Sequence, residues 1–463
     1  MSSGDAPHPA AVVQAWSALE GPAALLSSVT YEGGFSGLLP SRLPVLDAAR
    51  ACVAVCSLAA AEYASGCDDG GGAVPRVRVD DGAVATAFTS ERQLRVDGRE
   101  PSTFAPLSRF WRTADGWVRT HANYPHHRGA LLAALGLRDD AVEGVERALA
   151  ELRAVDVEER VYAAGGLAVA LRTRAQWATH EQGAVVAAEP LVHRERLGNR
   201  APRARGGRLR VLDLSRVLAG PVATRTLALL GADVLRVDAP GLPELADLHA
   251  DTGFGKRSTL LDLGRPTDRA TFDELLAGAD VVVTGYRPGA LDRLGLTPDA
   301  LAERRAGVVV AQLSAWGRSG PWAERRGFDS LVQAATGIAD VEREPSSDRP
   351  GALPAQALDH GTGYLLAAAV LRACTERFSA PGARLVRLAL ARTAHWLLGL
   401  PAAGRRGGGG TSYDASADVT ETDSPLGRLR HALPPVSYEG GPLNWGWASG
   451  GWGTDAARWA EGS

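Results

Sequence analysis

Apolar positions in this chain gather into two kinds of run. The first is short, rich in Val and Leu, and bounded by Gly, Pro or Asp. Leu209–Leu214, Ala232–Asp238, Arg257–Leu263, Asp280–Thr284, Gly307–Leu313 and Ala383–Leu388 are of this kind and read as strands. Between them, Pro221–Leu230, Thr267–Leu276 and Thr297–Arg304 carry helix-forming residues, the first with a proline in its opening turn. Strands alternating with helices predict an α/β fold with a doubly wound parallel sheet, binding its ligand at the carboxyl ends of the strands.

The second kind of run is long and Ala-rich. Val45–Ala64 and Gln356–Thr375 are apolar on nearly every face and read as buried helices. Residues 1–44 mix short helical pieces (Val12–Leu26) with turns. Beyond the first long helix come a strand at Val74–Asp80, a helical Gly82–Glu91, and an Asp-Gly hairpin in Phe110–His121. Helices are expected at His127–Leu135, Asp140–Glu151, Val157–Ala164 and Arg174–Gln182, which makes a small α+β unit. Arg194–Gly207, with five arginines and three glycines, has no apolar period and reads as a linker.

The division that follows is a first unit at 1–200, a linker at 201–207, the α/β unit at 208–400, and a Gly-rich linker and tail at 401–463. The order of buried helix, Gly loop, strand and helix occurs at 45–91 and again at 358–400, with Leu46-Asp47 standing where Leu358-Asp359 does.

Composition narrows the function classes. The chain has 463 residues, 45% hydrophobic and 22% charged, as in a globular protein able to build large cores. Net charge is −3, so no overall field recruits nucleic acid or an anionic membrane. The four cysteines fit no zinc spacing and no metal site is expected. With no signal peptide pattern and no uninterrupted membrane-length apolar run, a cytoplasmic location is expected. Lys256 is the one lysine among 50 basic residues, which marks it as a place for a compact ammonium rather than a planar fork.

The turn after the first strand of the α/β unit reads Ser215-Arg-Val-Leu-Ala-Gly-Pro-Val-Ala223 and lacks G-x-G-x-x-G, which argues against a nicotinamide enzyme. Asp359 has a different promise. It stands where the Pro-bounded Leu353–Gln356 gives way to the second long helix, and Gly361 and Gly363 leave room beside it. A carboxylate at a helix N-terminus is most simply a cap.

Several stretches resemble the family III CoA-transferases (CaiB/BaiF), which include formyl-CoA transferase, carnitine CoA-transferase and the α-methylacyl-CoA racemases. They are Val211-Leu-Asp-Leu-Ser-Arg-Val-Leu-Ala-Gly-Pro221, Leu230–Asp238, Gly255-Lys-Arg-Ser258, Ala279–Gly295, Ser314–Trp322, Gly327-Phe-Asp329 and the Asp359 stretch, in the family's own order. Ala114-Asp-Gly-Trp-Val118 and Val185–Pro190 resemble the family's small domain more loosely. The resemblance implies a family III CoA-transferase fold in which two partial copies are fused.

It implies an enzyme moving CoA between an acyl-CoA and a carboxylic acid, with Asp359 as nucleophile through an aspartyl acyl-anhydride and an aspartyl-CoA thioester. It places Val217, Leu218, Lys256, Arg257, Arg287 and Arg293 at the CoA site, with CoA a co-substrate and no cofactor tightly bound. The backbone amides at Asp359-His360-Gly361 are expected to hold an oxyanion, and His360 to be structural. A homodimer is implied, with a pseudo-dimeric single chain as the alternative. Two other readings stay open: a non-catalytic acyl-CoA-binding partner subunit, and a racemase or isomerase of the same fold. Racemases carry His where this chain has Phe328, and other members carry Asn where it has Gly285. The four-glycine run Gly407–Gly410 is expected to be a linker rather than a loop over the site.

Overall fold

In the computed structural model, the described residues are 8–67, 72–102, 104–198, 207–344, 346–380, 382–401 and 411–460. The linker expected at 201–207, apart from Gly207, and the run Gly407–Gly410 lie outside them.

Six parallel strands form the central sheet, in the spatial order Lys256–Leu260, Asp233–Asp238, Arg210–Leu214, Val281–Thr284, Val309–Ser314, Ala383–Ala389. Numbered along the chain, this is 3-2-1-4-5-6, the order of a dinucleotide-binding sheet, and it reverses direction between Arg210–Leu214 and Val281–Thr284. Buried on both faces, the inner strands are near-continuous Val and Leu, as such a sheet requires.

A seventh strand, His193–Leu197, closes the far edge antiparallel to Ala383–Ala389. The expectation of a linker starting at Arg194 is therefore corrected. Edge pairing needs no apolar face, and the Arg194 guanidinium is neutralised by Glu376 and Glu20, at 2.7 and 2.9 Å.

The two Ala-rich runs form the helices Val45–Cys67 and Ala357–Glu376, which pack along each other. They run in the same direction: Gly361 lies against Cys52, and Arg372 bonds Glu62 at 2.5 Å. On its other side, Ala357–Glu376 meets the helix Ala219–Leu229. That contact is close because Gly363 has no side chain; a Cβ there would sit 2.7 Å from the Ala219 carbonyl oxygen and 2.9 Å from Val222. At Gly361 the nearest atom would be 3.4 Å away. Gly363→Ala is expected to destabilise by about 1–3 kcal/mol through overpacking. Gly361→Ala is expected to be neutral or mildly stabilising through helix propensity. Urea titration of the two variants separates them, and equal losses would contradict this packing.

Phe110–Arg112, Trp117–Thr120 and Ala168–Ala170 form an antiparallel sheet. The helices Pro125–Leu135, Val142–Ala150 and Ala154–Ala163 pack with it around Leu107, Trp111, Val118, Leu131, Leu149 and Val161. Its opposite face meets the helix Asp329–Thr336. The tail is ordered where it is described, and part of the span expected as a linker is strand. Val419–Ser424 and Gly427–Ala432 make a hairpin that pairs with Arg95–Val96. Beyond it, residues 445–460 lie along the edge strand Lys256–Leu260. There Asp455 binds the Ser258 amide, Trp447 reaches the Lys256 carbonyl, and Trp459 reaches that of Leu275.

Candidate functional site

The reversal in strand order opens a crevice at the carboxyl ends of Arg210–Leu214 and Val281–Thr284, and the chain leaving the first of these is strained. Val217 has φ +69°, a conformation a β-branched residue rarely adopts. It is held there by its amide, which donates to Glu244 at 3.0 Å. Glu244 is itself fixed by Arg236 at 3.0 Å and by the Tyr124 hydroxyl at 2.5 Å. Strain of this kind gathers at ligand sites, where the surroundings over-determine it. Leu218 follows as the buried residue opening Ala219–Leu229. Gly285, on the facing strand end, has its reason here: a Cβ would come within 3.2 Å of Ser215.

Asp359 lies in the first turn of its helix, near this end of the sheet because the helix runs antiparallel to the strands it connects. The amides of Leu358 and Asp359 donate to one oxygen of Asp329, at 2.9 and 3.1 Å. Asp329, not Asp359, therefore caps the helix, and the His360 amide is taken by the Gln356 carbonyl. The expected use of these amides as oxyanion donors is corrected, since Asp329 and Gln356 already hold those of Asp359 and His360. The Asp359 carboxylate itself accepts no hydrogen bond from any described residue.

It is 6% exposed, and burial, with the charges of Asp329 and Glu91 beside it, pushes its pKa well above the usual carboxylate range. Burial likewise pushes Asp329 up to about 6. An unpaired, desolvated carboxylate is a poor structural element and, once ionised, a strong nucleophile.

His360 is fully buried, with its Nε2 3.0 Å from Glu91 and its ring against Phe88. The Glu91 carboxyl is held below its ordinary range, because His360 outweighs its desolvation. Glu91→Gln removes one of the two negative charges that oppose ionisation of Asp359. The acid limb of any Asp359-dependent pH–rate profile is expected to move to lower pH. An unmoved or raised limb would contradict this assignment.

The basic residues singled out in the sequence go to different places. The Lys256 ammonium is buried, donating to Asp213 at 3.2 Å, Thr224 at 2.9 Å and the Pro221 carbonyl at 3.3 Å. All three of its donors are engaged inside the protein. Arg257 binds Asp233 at 2.7 Å and the Arg458 carbonyl of the tail. Arg293 is exposed in a short 3-10 turn. Arg287 lines a cavity of about 380 Å³ at the carboxyl ends of the central strands, together with Thr284, Tyr286, Ser314, Arg387 and Arg392. Asp359 does not line that cavity. Val217, Leu218 and Arg287 thus share the carboxyl side of the sheet, while Lys256 and Arg257 are tied into its edge.

Groups packed around Asp359 and around Phe328, next to its cap Asp329, carry little signal in the sequence alone. Glu91 comes from the short helix Ser90–Gln93, far along the chain. His121 stacks on Phe328 at 4.0 Å between ring centres, with His127 against both. Burial lowers both histidines to about 3, so they are neutral, and neither His127 ring nitrogen has a partner. The clustered His-x-Asn-Tyr-Pro-His-His of residues 121–127 is the one pattern from which they could have been found. Among the described residues there is no metal-binding cluster and no helix long and apolar enough to cross a membrane.

Comparison with known proteins bears on the same region. Residues 208–419 match the family described as CoA-transferase family III. The probable fatty acyl-CoA transferase Rv3272 of Mycobacterium tuberculosis is 35% identical over 194 residues, covering 39% of this chain and 49% of that protein. A formyl-CoA:oxalate CoA-transferase of Streptomyces avermitilis is 31% identical over 193 residues, covering 39% and 47%. The crystal structure of Rv3272 aligns with 43% of this chain and 58% of its own at 34% identity, with a TM-score of 0.38. The chain spans about half the length of these curated relatives. The matched residues 208–419 hold the six parallel strands and Asp359.

Proposed function

We propose that the protein transfers CoA from an acyl-CoA to a carboxylic acid through Asp359. The observation that carries this reading is the buried Asp359 carboxylate, without a hydrogen-bond partner, inside the segment that matches the family. Its carboxylate attacks the thioester carbonyl, the C–S bond breaks, and CoA leaves as thiolate from an acyl–aspartyl anhydride. The thiolate attacks the aspartyl carbonyl and releases the donor acid, leaving an aspartyl-CoA thioester. The acceptor carboxylate attacks that thioester and expels the thiolate, forming a second anhydride. Attack of the thiolate on the acceptor's carbonyl releases the new acyl-CoA and restores the Asp359 carboxylate. No net proton moves, and each step exchanges groups of comparable activation.

In this reading Val217, Leu218, Arg287 and Arg293 line the CoA path, with Lys256 and Arg257 fixing the strand edge beside it. The first part of the chain is a second, partial copy: Asp47 stands in the first turn of Val45–Cys67 as Asp359 does in Ala357–Glu376. Asp47 is paired with Arg50 at 2.7 Å, and Arg50 also binds Asp81 at 2.6 Å, so the carboxylate at the equivalent position is engaged. Whether the chain works as a homodimer or as a single fused pair is read from its mass in solution.

The function is tested by incubating the protein with a panel of acyl-CoAs and isotopically labelled acids and following label into new acyl-CoA. Transfer supports the reading. CoA binding without transfer favours a non-catalytic partner subunit, and α-proton exchange in deuterated water without transfer favours a racemase or isomerase.

A further inference from the structure

Half-buried arginines elsewhere in this chain are matched by carboxylates. Arg194 has Glu376, Arg257 has Asp233, Arg269 has Asp273 and Arg325 has Glu159, at 2.7–2.9 Å. The cavity of about 380 Å³ at the carboxyl ends of the last three parallel strands departs from this pattern. Four guanidiniums line it, each from a different place. Arg287 comes from the loop after Val281–Thr284, Arg318 from the turn after Val309–Ser314, Arg387 from the strand Ala383–Ala389, and Arg392 from the helix Leu390–Gly399.

None of the four is hydrogen-bonded to a carboxylate of any described residue. Arg387 donates to the Gln312 side-chain oxygen at 2.9 Å and comes only within 3.8 Å of Glu195. Arg392 donates from Nε to the Glu189 carbonyl at 2.6 Å, and Arg287 to the Glu324 carbonyl at 3.3 Å. Arg318 is exposed and makes no hydrogen bond or ion pair with any described residue. Burial and the charge of Arg318 lower the Arg387 pKa, and burial lowers that of Arg392, as expected of cations gathered without counter-ions. Two carboxylates share the lining. Asp292 is exposed in its 3-10 turn, and Glu189 accepts from the Ser319 hydroxyl at 3.2 Å. The helix Leu390–Gly399 starts on the cavity wall, so the positive end of its dipole adds to the excess of cations.

This cavity is not the crevice at the reversal of strand order. Val217, Leu218 and Gly285 mark that crevice, and none of them lines the cavity; nor do Lys256 and Asp359. Guanidinium forks arriving from three directions suit a tetrahedral dianion, whose oxygens also point apart, better than a single planar carboxylate. Leu291, Leu313 and Leu388 add apolar wall beside them. We propose that the cavity binds a small phosphate ester, with its phosphoryl group on Arg318, Arg387 and Arg392 and its organic body against the three leucines. This ligand is separate from the CoA that the transferase reading places in the crevice. The phosphates of CoA offer the same chemistry, and the test separates the two sources.

Phenyl phosphate and inorganic phosphate are titrated calorimetrically into wild type, Arg318→Gln, Arg387→Gln and Arg392→Gln. A control, Arg160→Gln, removes an equal charge from an exposed position on the helix Ala154–Ala163. Wild type is expected to bind phenyl phosphate more tightly than inorganic phosphate. Each cavity variant is expected to weaken phenyl phosphate binding at least about tenfold, and the control by less than about twofold. Arg318 makes no internal bond, so its variant decides the point even where Arg387→Gln, which loses the bond to Gln312, melts lower. No binding by wild type, or an equal loss in the control, overturns the inference. The wild-type titration is then repeated with excess CoA. Unchanged affinity supports a separate ligand; abolished binding assigns the cavity to the phosphates of CoA and overturns it. Absent CoA transfer with phosphate ester binding intact would count against the transferase reading and leave this site standing.

Discussion

Replacing Asp359 with Asn is expected to abolish CoA transfer, by about three orders of magnitude or more, while leaving acyl-CoA binding close to that of wild type. The amide keeps the shape of the side chain but cannot form the anhydride, so the loss falls on chemistry and not on binding.

The same substitution is expected to stabilise the fold at neutral and alkaline pH. Asp359 has a folded-state pKa raised above its unfolded value, by burial first and then by Asp329 and Glu91. The folded state therefore binds its proton more tightly, and this contribution to stability is fully present below the unfolded carboxylate range. It is lost as pH rises toward the folded value, so at pH 7–8 the wild-type protein carries a cost that Asn does not. The melting-temperature gap should narrow as pH falls toward about 4. A variant that loses activity and also melts lower at every pH would show Asp359 to be a structural cap instead. Loss of stability for activity in the opposite sense is what a functional carboxylate in an apolar setting produces.

The second large effect concerns Lys256. Lys256→Met removes the cation that faces Asp213 in the sheet, and Asp213 is fully buried. Its remaining hydrogen-bond partners, the Ser215 amide and hydroxyl and the Thr224 hydroxyl, carry no charge, and Arg236, the other cation acting on it, is already paired with Asp238 and Glu244. Breaking a buried pair from one side leaves an uncompensated ion and is expected to cost about 3–5 kcal/mol. The double variant Lys256→Met/Asp213→Asn should recover part of that loss, because it removes the stranded charge. Urea unfolding of the three variants measures the coupling directly. Little loss in the single variant, with a large rise in the KM for CoA, would place the ammonium on the ligand instead.

The order of strands and helices between 208 and 400 was legible in the sequence because a parallel sheet buried on both faces needs unbroken Val and Leu runs, and those runs were plain. Locally, Asp359 showed only as a carboxylate at the mouth of a buried helix, ahead of Gly361 and Gly363, a pattern that is most simply a cap; its reading as nucleophile came from the family resemblance. What surrounds it was not legible. Glu91 reaches the site from more than two hundred residues earlier in the chain, and nothing in its own neighbourhood sets it apart from other surface charges.

Asp329 looked like part of a motif, and only its two bonds to the amides of Leu358 and Asp359 show that it caps the catalytic candidate's helix. Lys256 was conspicuous for being alone, yet its partner Asp213 is paired with it by the register of two non-adjacent strands. The edge strand His193–Leu197 was hidden because its charges are satisfied by partners distant in sequence, which pattern alone does not reveal.

On the proposed mechanism, Asp359 carries the transferred acyl group and then CoA on its own carboxylate. Mass spectrometry of the peptide containing Asp359, after incubation with the acyl-CoA panel and quenching in hydroxylamine, tests it most directly. A hydroxamate on Asp359 that appears with particular acyl-CoAs, and is absent from the Asn variant, is the predicted result. CoA transfer by the protein with Asp359 unmodified at every quench time would contradict it.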